Sequence, residues 1–406
     1  MVGDKLAGVS VETPRHAAAQ AEEDAVLPKH AVAMRSHKFA RGTALVVTAL
    51  VVFVATGVAA IYHHLNSAIT VLDVSDLITQ DHVRPPAPAV TEDDRPITLL
   101  LMGTDYRGEY GSINSEMFGH DAGMGADTTL VVHIPSNRQW AEIFSIPRDA
   151  LVDIPACPRS DGSVAPAVTG AMFNSAFSRG AGDNYDWEGA ASCTLMTVEN
   201  LTGIHITDFM IINMAGVVDV VNSLGGVEID LPEPVVGNSN VVLDLPAGPQ
   251  RLDGWQAINF LRARGGRGMG LELGSDLMRI ERQQFFLEAF AQDVLSRNLV
   301  GDAAQLYPAI VDVMRSVSTN PELGSPMAMV SLVLSMRSFE TDHLIFTEIP
   351  VVTAPNDPNR VVFTSQAADI WARIASGAPP QEYVDAAAQE AGPLLEVTAG
   401  QAGNDG

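Results

Sequence analysis

The stretch ITLLLMGTDYR, residues 97–107, carries the strongest local information about the fold. Its first six residues, Ile97–Met102, are a continuous apolar run of strand length that stops at Gly103, which predicts a buried strand. Asp105 and Arg107 then place a carboxylate and a guanidinium at the carboxyl end of that strand. Open α/β sheets bind their ligands at this end, although Asp105 alone is equally compatible with an ordinary turn.

Strands and helices alternate along the rest of the chain. Thr128–Ile134 and Trp140–Ile146 are further candidates for buried strands, and Ala190–Leu201 and Val217–Leu224 have helical spacing. The clearest helix is predicted over Ser275–Arg297, where apolar residues recur on one face. Alternation of this kind indicates the α/β class, and 47% hydrophobic residues are ample for a large core.

An apolar segment near the N-terminus predicts a membrane anchor. Residues 42–62 contain no charged side chain, and at about 1.5 Å per residue they span the apolar thickness of a bilayer. A cleaved signal peptide is the alternative, but its apolar run would be shorter and would begin earlier. Charges on the two sides predict a cytoplasmic N-terminus and an extracytoplasmic domain at the cell membrane, with Lys29, Arg35, Lys38 and Arg41 before the segment and Asp73, Asp76 and Asp81 after it.

Composition sets the remaining boundaries. Residues 1–41 are predicted to be a disordered cytosolic tail, residues 63–96 an extracytoplasmic stalk with a Pro-rich linker, and residues 379–406 a disordered acidic tail. One large domain is expected over residues 97–378. The formal net charge of -25 argues against a nucleic-acid partner, because phosphate backbones are bound by clustered cations.

Cys157 and Cys193 are the two cysteines of the chain. In an extracytoplasmic compartment an even number is compatible with one disulfide. Such a bond would close a loop of roughly forty residues and stabilise the fold by about 3–4 kcal/mol. Two buried free thiols are the alternative.

Polar side chains interrupt the apolar stripe of the clearest predicted helix. Asp276, Arg279 and Gln283 are spaced i, i+3 and i+7 and share one face, where a plain core helix would carry Leu or Val. Asp276 could serve only the helix dipole, but that explanation does not cover Gln283. Arg262 and Arg264 lie just upstream, and arginine is the residue suited to bidentate phosphate contacts.

Two carboxylates are expected to meet at adjacent strand ends. Asp127 directly precedes the second predicted strand, and Asp105 follows the first. Mg²⁺ prefers hard oxygen ligands and normally takes one or two carboxylates beside a phosphate, so the pair suits this ion. Arg148 follows the third strand, in a position that also fits a surface ion pair with Asp149.

The order of seven motifs resembles the LytR-CpsA-Psr family over roughly residues 97–300, with a weaker continuation to Ala375. The motifs are GTDYR (103–107), ADT (126–128), SIPRD (145–149), FNSAF (173–177), LGGVEI (224–229), LDGWQAINFLRAR (252–264) and SDLMRIERQQF (275–285). The resemblance implies a three-layer α/β/α sandwich with a central mixed sheet, preceded by one transmembrane helix. It also implies an enzyme that binds a polyprenyl-pyrophosphate glycan lipid, with the lipid in an apolar groove. The glycan and its phosphate would pass to a peptidoglycan hydroxyl, with Mg²⁺ or Mn²⁺ as cofactor.

Residue by residue, the family pattern assigns a role to each candidate. Asp105 and Asp127 correspond to the metal ligands, and the catalytic group also contains Arg107, Arg148 and Asp276. Asp276 is the candidate that receives the acceptor proton. The pyrophosphate-binding set comprises Arg148, Arg262, Arg264, Arg279, Arg282 and Gln283. Pyrophosphate cleavage depends on positioning and cationic stabilisation, which such residues supply.

Two departures leave a second function open. Gly125 stands where the family commonly has an arginine ahead of the second aspartate, and Met172 stands where it often has a lysine. The segment 265–274 is long and carries Arg267, a candidate replacement for the missing cation. The alternative function is a non-catalytic binder of polyprenyl-phosphate lipids. A transcriptional attenuator is disfavoured, because residues 1–41 show no helix-turn-helix pattern.

Overall fold

The computed structural model of the chain describes residues 38–78, 82–87, 95–104, 124–239, 241–274, 276–296, 303–335 and 343–390. Two compact units are distinguished, residues 1–59 and residues 60–406. Helix α1, Lys38–Asn66, contains a 22-residue apolar stretch, Leu45–Asn66, with a mean hydropathy of 2.5. Its length and composition fit the predicted membrane anchor, and no other helix within the described ranges has this character.

The strands follow in chain order as β1 (Thr70–Val71), β2 (Ile97–Thr104), β3 (Ala126–Ile134), β4 (Ala141–Ser145), β5 (Leu151–Ile154), β6 (Cys157–Pro158), β7 (Val164–Ala165), β8 (Val168–Met172), β9 (Asp208–Asn213), β10 (Val227–Leu231), β11 (Val235–Gly237), β12 (Asp244–Leu245), β13 (Gly248–Leu252), β14 (Gly266–Arg267), β15 (Val317–Thr319), β16 (Leu344–Phe346), β17 (Val351–Ala354) and β18 (Asp357–Phe363). The helices after α1 are α2 (Ser75–Ile78), α3 (Ser175–Ala181), α4 (Trp187–Thr202), α5 (Met214–Ser223), α6 (Gly254–Arg262), α7 (Asp276–Ser296), α8 (Ala303–Ser316), α9 (Pro326–Ser335), α10 (Ser365–Ala375) and α11 (Gln381–Glu390), with a 3₁₀ turn at Leu271–Leu273.

Seven strands form the central sheet, in the order β1-β15-β9-β2-β3-β4-β16. The pairs β1/β15, β9/β2 and β4/β16 are parallel and the other neighbours are antiparallel, so the sheet is mixed as predicted. The apolar run Ile97–Met102 lies in β2, at the middle of the sheet. Helices lie on both faces, which confirms the α/β/α sandwich.

The two faces of the sheet are buried to different degrees. On one, the sealed face, Leu100, Phe144 and Phe209 are at most 1% exposed and pack with α3, α4 and α10 in the largest apolar core. The other, the open face, packs against α9 through Leu332. Its side chains are as apolar, and Leu99 and Leu130 are buried at 8% and 6% exposure. Other side chains of this face are only partly buried: Leu101, Val132, Ile143, Met210 and Ile212.

A second, smaller apolar core unites β10–β13 with α6 and α7, around Leu231, Phe260 and Phe286. Helix α6 begins at a capping box, in which Asp253 and Gln256 each accept a hydrogen bond from the other's backbone nitrogen through their side chains. This second core fixes the loops between its elements, and these loops extend to one end of the central sheet.

Cys157 and Cys193 form a disulfide, with their Cα atoms 5.1 Å apart. The bond joins β6 to α4 inside the core on the sealed face. The predicted pairing is therefore confirmed, and the alternative of two free thiols is wrong.

The predicted stalk over residues 63–96 is wrong for much of its length. β1 pairs with β15 at the sheet edge, and the segment 72–78 contributes three side chains to the main core. Arg84 Nη2 donates to the buried Glu199 Oε1 at 2.7 Å, and His82 Nε2 lies 2.9 Å from Glu199 Oε2. These segments are too short to show the periodicity of a helix or a strand. Composition alone therefore predicts a linker, although the segments pack into the domain.

The predicted disordered tail from residue 379 is wrong at its beginning, because Gln381–Glu390 form α11. Tyr383 of that helix packs against Trp140 and His343, with ring centroids 6.2 and 5.1 Å apart. The predicted disordered tail over residues 1–41 is wrong at its end, because α1 begins at Lys38. Residues 1–37 and 391–406, also predicted to be disordered, lie outside the described residues.

Candidate active site

A cavity of about 330 Å³ opens at the end of the sheet where β2 finishes and β3 begins. The ladder register shifts between Gly103 and Thr104, which leaves Asp127 as the extra residue of a β-bulge. Bulges re-aim a side chain and are frequent next to active sites. The cavity is lined by the polar side chains of Asp127, Arg148, Asn238, Arg262, Arg264, Arg279 and Gln283.

Asp127 lies at the centre of the charges in this cavity. Its Oδ1 accepts a hydrogen bond from Arg148 Nη1 at 2.6 Å, and Arg264 Nη2 lies 3.8 Å from the same oxygen. Arg279 Nη2 donates to the backbone oxygen of Asp127 at 2.9 Å. One residue thus gathers three guanidinium groups, which come from the β4–β5 turn, the loop after α6 and helix α7.

Opposing effects act on the pKa of Asp127. Burial would raise it, but the hydrogen bond and charge of Arg148, with the charges of Arg279 and Arg264, outweigh burial. The pKa is therefore lowered from its ordinary 3.8, and the carboxylate is ionised at neutral pH. Among the residues that the structure describes, four lining arginines stand against one lining carboxylate, and this excess of positive charge suits a multiply charged anion.

Helix α7 presents Arg279 and Gln283 on one face, as their spacing predicts. The two residues are 4% and 5% exposed. Gln283 Nε2 donates to Thr128 Oγ1 at 3.0 Å and to the backbone oxygen of Leu261 at 3.4 Å. The glutamine thereby ties α7 to β3 and to α6, which explains a polar residue within an apolar stripe.

Arg282 does not line the cavity, and the structure does not bring it together with the other predicted pyrophosphate ligands. Its side chain is 1% exposed, and its guanidinium donates to the backbone oxygens of Ala263, Met269 and Met278. These bonds hold the segment after α6 against α7. Because Ala263 directly precedes Arg264, Arg282 is a positioning residue for that cavity arginine.

The segment 265–274 does not bring its own cation to the cavity. Arg267 is exposed in β14 and is not among the lining residues. A Cβ built on Gly125 would meet no heavy atom within 4 Å, so the position of the missing family arginine has open space around it. Met172 lies in β8, beside the turn that carries Arg148, and does not line the cavity either.

Three predicted residues are not placed by the structure. Asp105 and Arg107 lie outside the described residues, as does the side chain of Asp276, the first residue of α7. Asp105 directly follows Thr104, the last residue of β2, in the chain. Thr104 faces Ala126, the residue before Asp127, across the β2/β3 ladder.

The fit of a divalent ion rests on Asp127. Within the described part of the chain, no group of three or more His, Cys, Asp or Glu side chains could hold a metal ion. Mg²⁺ requires less, since it keeps several waters and binds through one or two carboxylates and the substrate's phosphates. The ionised Asp127 carboxylate, in a cavity of about 330 Å³ that has room for a diphosphate, meets that requirement for one ligand, and Asp105 is the expected second.

Sequence reasoning missed the wall of the cavity, which is formed by Met214, Asn238, Val241 and Leu261. None of these residues belongs to a charged pattern. Asn238 and Val241 reach the cavity because β11 pairs with β14, which follows Arg262 and Arg264 in the chain, and no local signal predicts that pairing.

The sequence pattern of the LytR_cpsA_psr family matches residues 61–374 of this chain. The match covers well over half of the chain, and the protein therefore belongs to the LytR-CpsA-Psr family, as the seven motifs predicted.

Two relatives show the extent of the similarity. An Enterococcus faecalis protein named polyisoprenyl-teichoic acid–peptidoglycan teichoic acid transferase TagU is 30% identical over 226 residues, which are 54% of this chain and 61% of that protein. The Corynebacterium glutamicum cell wall biosynthesis protein LcpA is 26% identical over 329 residues, 75% of this chain and 61% of that protein. The chain thus spans about three-fifths of the length of these relatives.

Solved structures share the fold. A LytR-Csp2A-Psr enzyme from Actinomyces oris superposes with a TM-score of 0.51 at 18% identity, covering 76% of this chain and 96% of that one. Bacillus subtilis TagV gives a TM-score of 0.50 at 21% identity, covering 71% of this chain and 99% of that one. At these identities the likeness concerns the fold alone.

Proposed function

We propose that the protein is a membrane-anchored phosphotransferase that attaches a polyprenyl-pyrophosphate-linked glycopolymer to peptidoglycan. The observation that carries the proposal is the junction of an arginine-lined cavity with a partly buried apolar sheet face. A diphosphate joined to a long apolar chain needs these two kinds of surface side by side. Support also comes from the relative named as a transferase of polyisoprenyl-linked teichoic acid to peptidoglycan.

The apolar part of the substrate would lie along the open face. Thr128, which bonds to Gln283 in the cavity, begins a row on β3 that continues through Leu130 and Val132 away from the cavity. Leu101 and Met210 extend this row across the neighbouring strands. Burial of apolar surface contributes about 25 cal/mol per Å², so the prenyl chain would supply affinity while the charged cavity fixes its position.

The charged part of the substrate would lie in the cavity. Arg148, Arg264 and Arg279 surround the Asp127 carboxylate, and their guanidinium groups suit phosphoryl oxygens in bidentate geometry. Mg²⁺ bound through Asp127 and Asp105 would neutralise phosphoryl charge. The arginines orient the diphosphate and stabilise the charge that spreads over its oxygens, which is the main requirement of phosphoryl transfer.

The transfer step follows from this placement. The acceptor hydroxyl oxygen forms a bond to the phosphorus next to the glycan, and the bond from that phosphorus to the bridging oxygen breaks. Polyprenyl phosphate leaves with the bridging oxygen, and the hydroxyl proton passes to a carboxylate. Asp276 at the start of α7, one turn before Arg279, is the proposed acceptor of that proton.

Phosphate release from a prenyl pyrophosphate by the purified full chain tests the proposal. Release should require Mg²⁺ or Mn²⁺, and Asp105→Ala and Asp127→Ala should each abolish it while far-UV circular dichroism shows that both variants are folded. Asp127→Ala should also lower the melting temperature, because it removes the ion pair with Arg148. Asp230→Ala, at an exposed position in β10, is the matched control and should retain activity. Prenyl-phosphate binding without any divalent-dependent release would favour the non-catalytic lipid binder instead.

The proposed location is the outer side of the cell membrane, with the N-terminus in the cytoplasm. The charge bias around residues 42–62 supports it, as does the disulfide, which persists in oxidising compartments. Protease added to intact, wall-stripped cells should remove the domain and spare the N-terminal tail. A domain that survives this treatment would contradict the orientation.

A further inference from the structure

Two further cavities lie at the same end of the sheet, and the chemistry proposed above uses neither. One, of about 470 Å³, is lined by Met124, Arg159, Ser178, Gly182, Asp183 and Tyr185. The other, of about 170 Å³, is lined by polar groups that include Thr70, Asn213, Arg315 and Ser318, together with Trp187. The loop Gly182–Trp187, with the sequence GDNYDW, forms a ridge that contributes to both.

Strand register places these cavities next to the arginine-lined cavity. Asn213 and Ala126 face Thr104 from its two sides, across the β9/β2 and β2/β3 ladders. Neighbouring strands are about 4.8 Å apart, so Asn213 lies about 10 Å from Ala126, the residue before Asp127. Met124 precedes Ala126 by two residues. A polymer attached to a phosphate at Asp127 therefore has both cavities within reach.

The side chains of this surface suit a carbohydrate. Tyr185 is 39% exposed, and Trp187 is half-buried with its ring held edge-on by Phe177 at 6.4 Å between centroids. Aromatic rings of this kind offer flat apolar platforms with a polar tip, on which the C–H face of a sugar ring can stack. Asp183 and Arg315 are exposed in the two cavities, and the first accepts hydrogen bonds while the second donates them, as vicinal sugar hydroxyls require.

The backbone of the ridge is strained at its most exposed aromatic residue. Tyr185 has φ 55°, a left-handed conformation that is unfavourable for a bulky side chain. Such strain persists where the surrounding structure imposes it, and it clusters at binding sites. Gly182 at the other end of the ridge has φ 57°, which a glycine adopts without cost.

We propose that the ridge Gly182–Trp187 and its two flanking cavities bind a glycan chain and hold it across the end of the sheet. The inference rests on the proposed function for its source of glycan, which is either the lipid-linked glycopolymer or the peptidoglycan strand. Both sources present the same chemistry, sugar rings with an apolar C–H face and hydroxyl groups. A nucleic acid is a poor fit because the chain carries a net charge of -25.

Binding of soluble glycans to the full chain in detergent tests the proposal without any need for turnover. The two probes are peptidoglycan glycan strands stripped of peptide and wall glycopolymer released from its lipid. The ridge variant is Tyr185→Asn, because asparagine tolerates left-handed backbone, and Arg315→Gln tests the smaller cavity. Trp255→Asn is the matched control, since Trp255 is 43% exposed on α6 and lines none of the three cavities.

We expect Tyr185→Asn to weaken binding of at least one probe by about tenfold, and Arg315→Gln to weaken binding of the same probe. The melting temperature of Tyr185→Asn should equal or exceed that of the wild type, because the strain is relieved. The affected probe identifies the source, with peptidoglycan strands marking an acceptor subsite and glycopolymer a donor subsite. Phosphate release from a sugar-free prenyl pyrophosphate should be unchanged in both variants.

Three results would overturn the proposal. They are wild-type protein that binds neither glycan, wild-type protein that binds only the free stem peptide of peptidoglycan, and an equal loss of binding in Trp255→Asn. A wild-type protein that binds glycan but releases no phosphate would contradict the proposed enzyme and leave the glycan surface standing. The two failures are thus distinguishable.

Discussion

The sealed and open faces of the central sheet are made by the same strands from the same kinds of residue, yet they are buried differently. Leu100 and Leu101 are consecutive on β2, and the first is 0% exposed while the second is only half-buried. A sheet built only for stability would bury both, because full burial of a leucine contributes about 1.5–3 kcal/mol. The sealed face therefore holds the fold, and the less buried open face, which ends at the arginine-lined cavity, is the surface on which the proposed prenyl chain would lie.

Leu100→Ala and Leu101→Ala test the difference between the two faces most directly. Leu100→Ala should lower the free energy of unfolding by about 2–5 kcal/mol, because it leaves a void in a fully packed core. Leu101→Ala should cost clearly less stability and instead weaken binding of a prenyl pyrophosphate. Thermal unfolding and lipid binding of the two variants, measured side by side, check the contrast. Equal destabilisation would mean that the two faces do not differ in role.

Arg148→Ala tests the charged end of the open face. Loss of one preorganised cation from a phosphoryl-transfer site should reduce phosphate release from a prenyl pyrophosphate by about 100-fold or more. Arg251→Ala is the control, since Arg251 pairs with Glu228 on the exposed surface of the antiparallel pair β10/β13. Activity that falls alike in both variants would show a general effect of charge rather than a role for Arg148.

Gly125→Arg adds the cation that the family commonly has beside the second aspartate, and so tests whether the charged end of the open face lacks a cation. The position has open space, and a charge-assisted hydrogen bond is worth about 1.5–3 kcal/mol. Prenyl-pyrophosphate affinity or turnover should therefore rise about tenfold, since 1.4 kcal/mol corresponds to a factor of ten. Arg267→Ala should have little effect, because Arg267 lies outside the cavity. Unchanged activity in Gly125→Arg would show that the cavity lacks no cation.

The pH dependence of Asp127→Asn is the smallest expected effect. The pKa of Asp127 is lowered below its ordinary 3.8 in the fold, so its ionisation contributes stability that is present above that value and is lost as the pH falls through the folded pKa. Between about pH 5 and pH 2 the wild type should lose more free energy of unfolding than Asp127→Asn. Parallel pH profiles in chemical unfolding would contradict the ion pair with Arg148.

The sequence predicted three of the seven strands of the central sheet, β2, β3 and β4, because continuous apolar runs such as Ile97–Met102 are long enough to be distinctive. The other four strands, β1, β9, β15 and β16, were not predicted. The sequence also predicted that Arg279 and Gln283 would share a face, since helical spacing determines this. The contacts of Arg282 could not be predicted from the sequence. Three backbone oxygens accept from this guanidinium, and backbone groups carry no sequence signature.

The start of the domain could not be predicted for a different reason. β1 has only two residues, and Arg84 contributes a single buried ion pair. The partners of both lie far along the chain. Short segments gain their structure from tertiary contacts, which override local propensity. Asn238 reached the cavity wall in the same way, through the pairing of β11 with β14.

The ion pair of Arg84 with Glu199 has a consequence for the order of events during synthesis. The two residues are 115 positions apart, and Thr70 pairs with Ser318, still later in the chain. Segments that follow the anchor thus emerge first and find their partners last. Contacts of such long range are slow to form, because the loop between them must close first. Newly made chains therefore pass through a stage in which Leu72, Val74 and Ile78 are without their final neighbours in the main core.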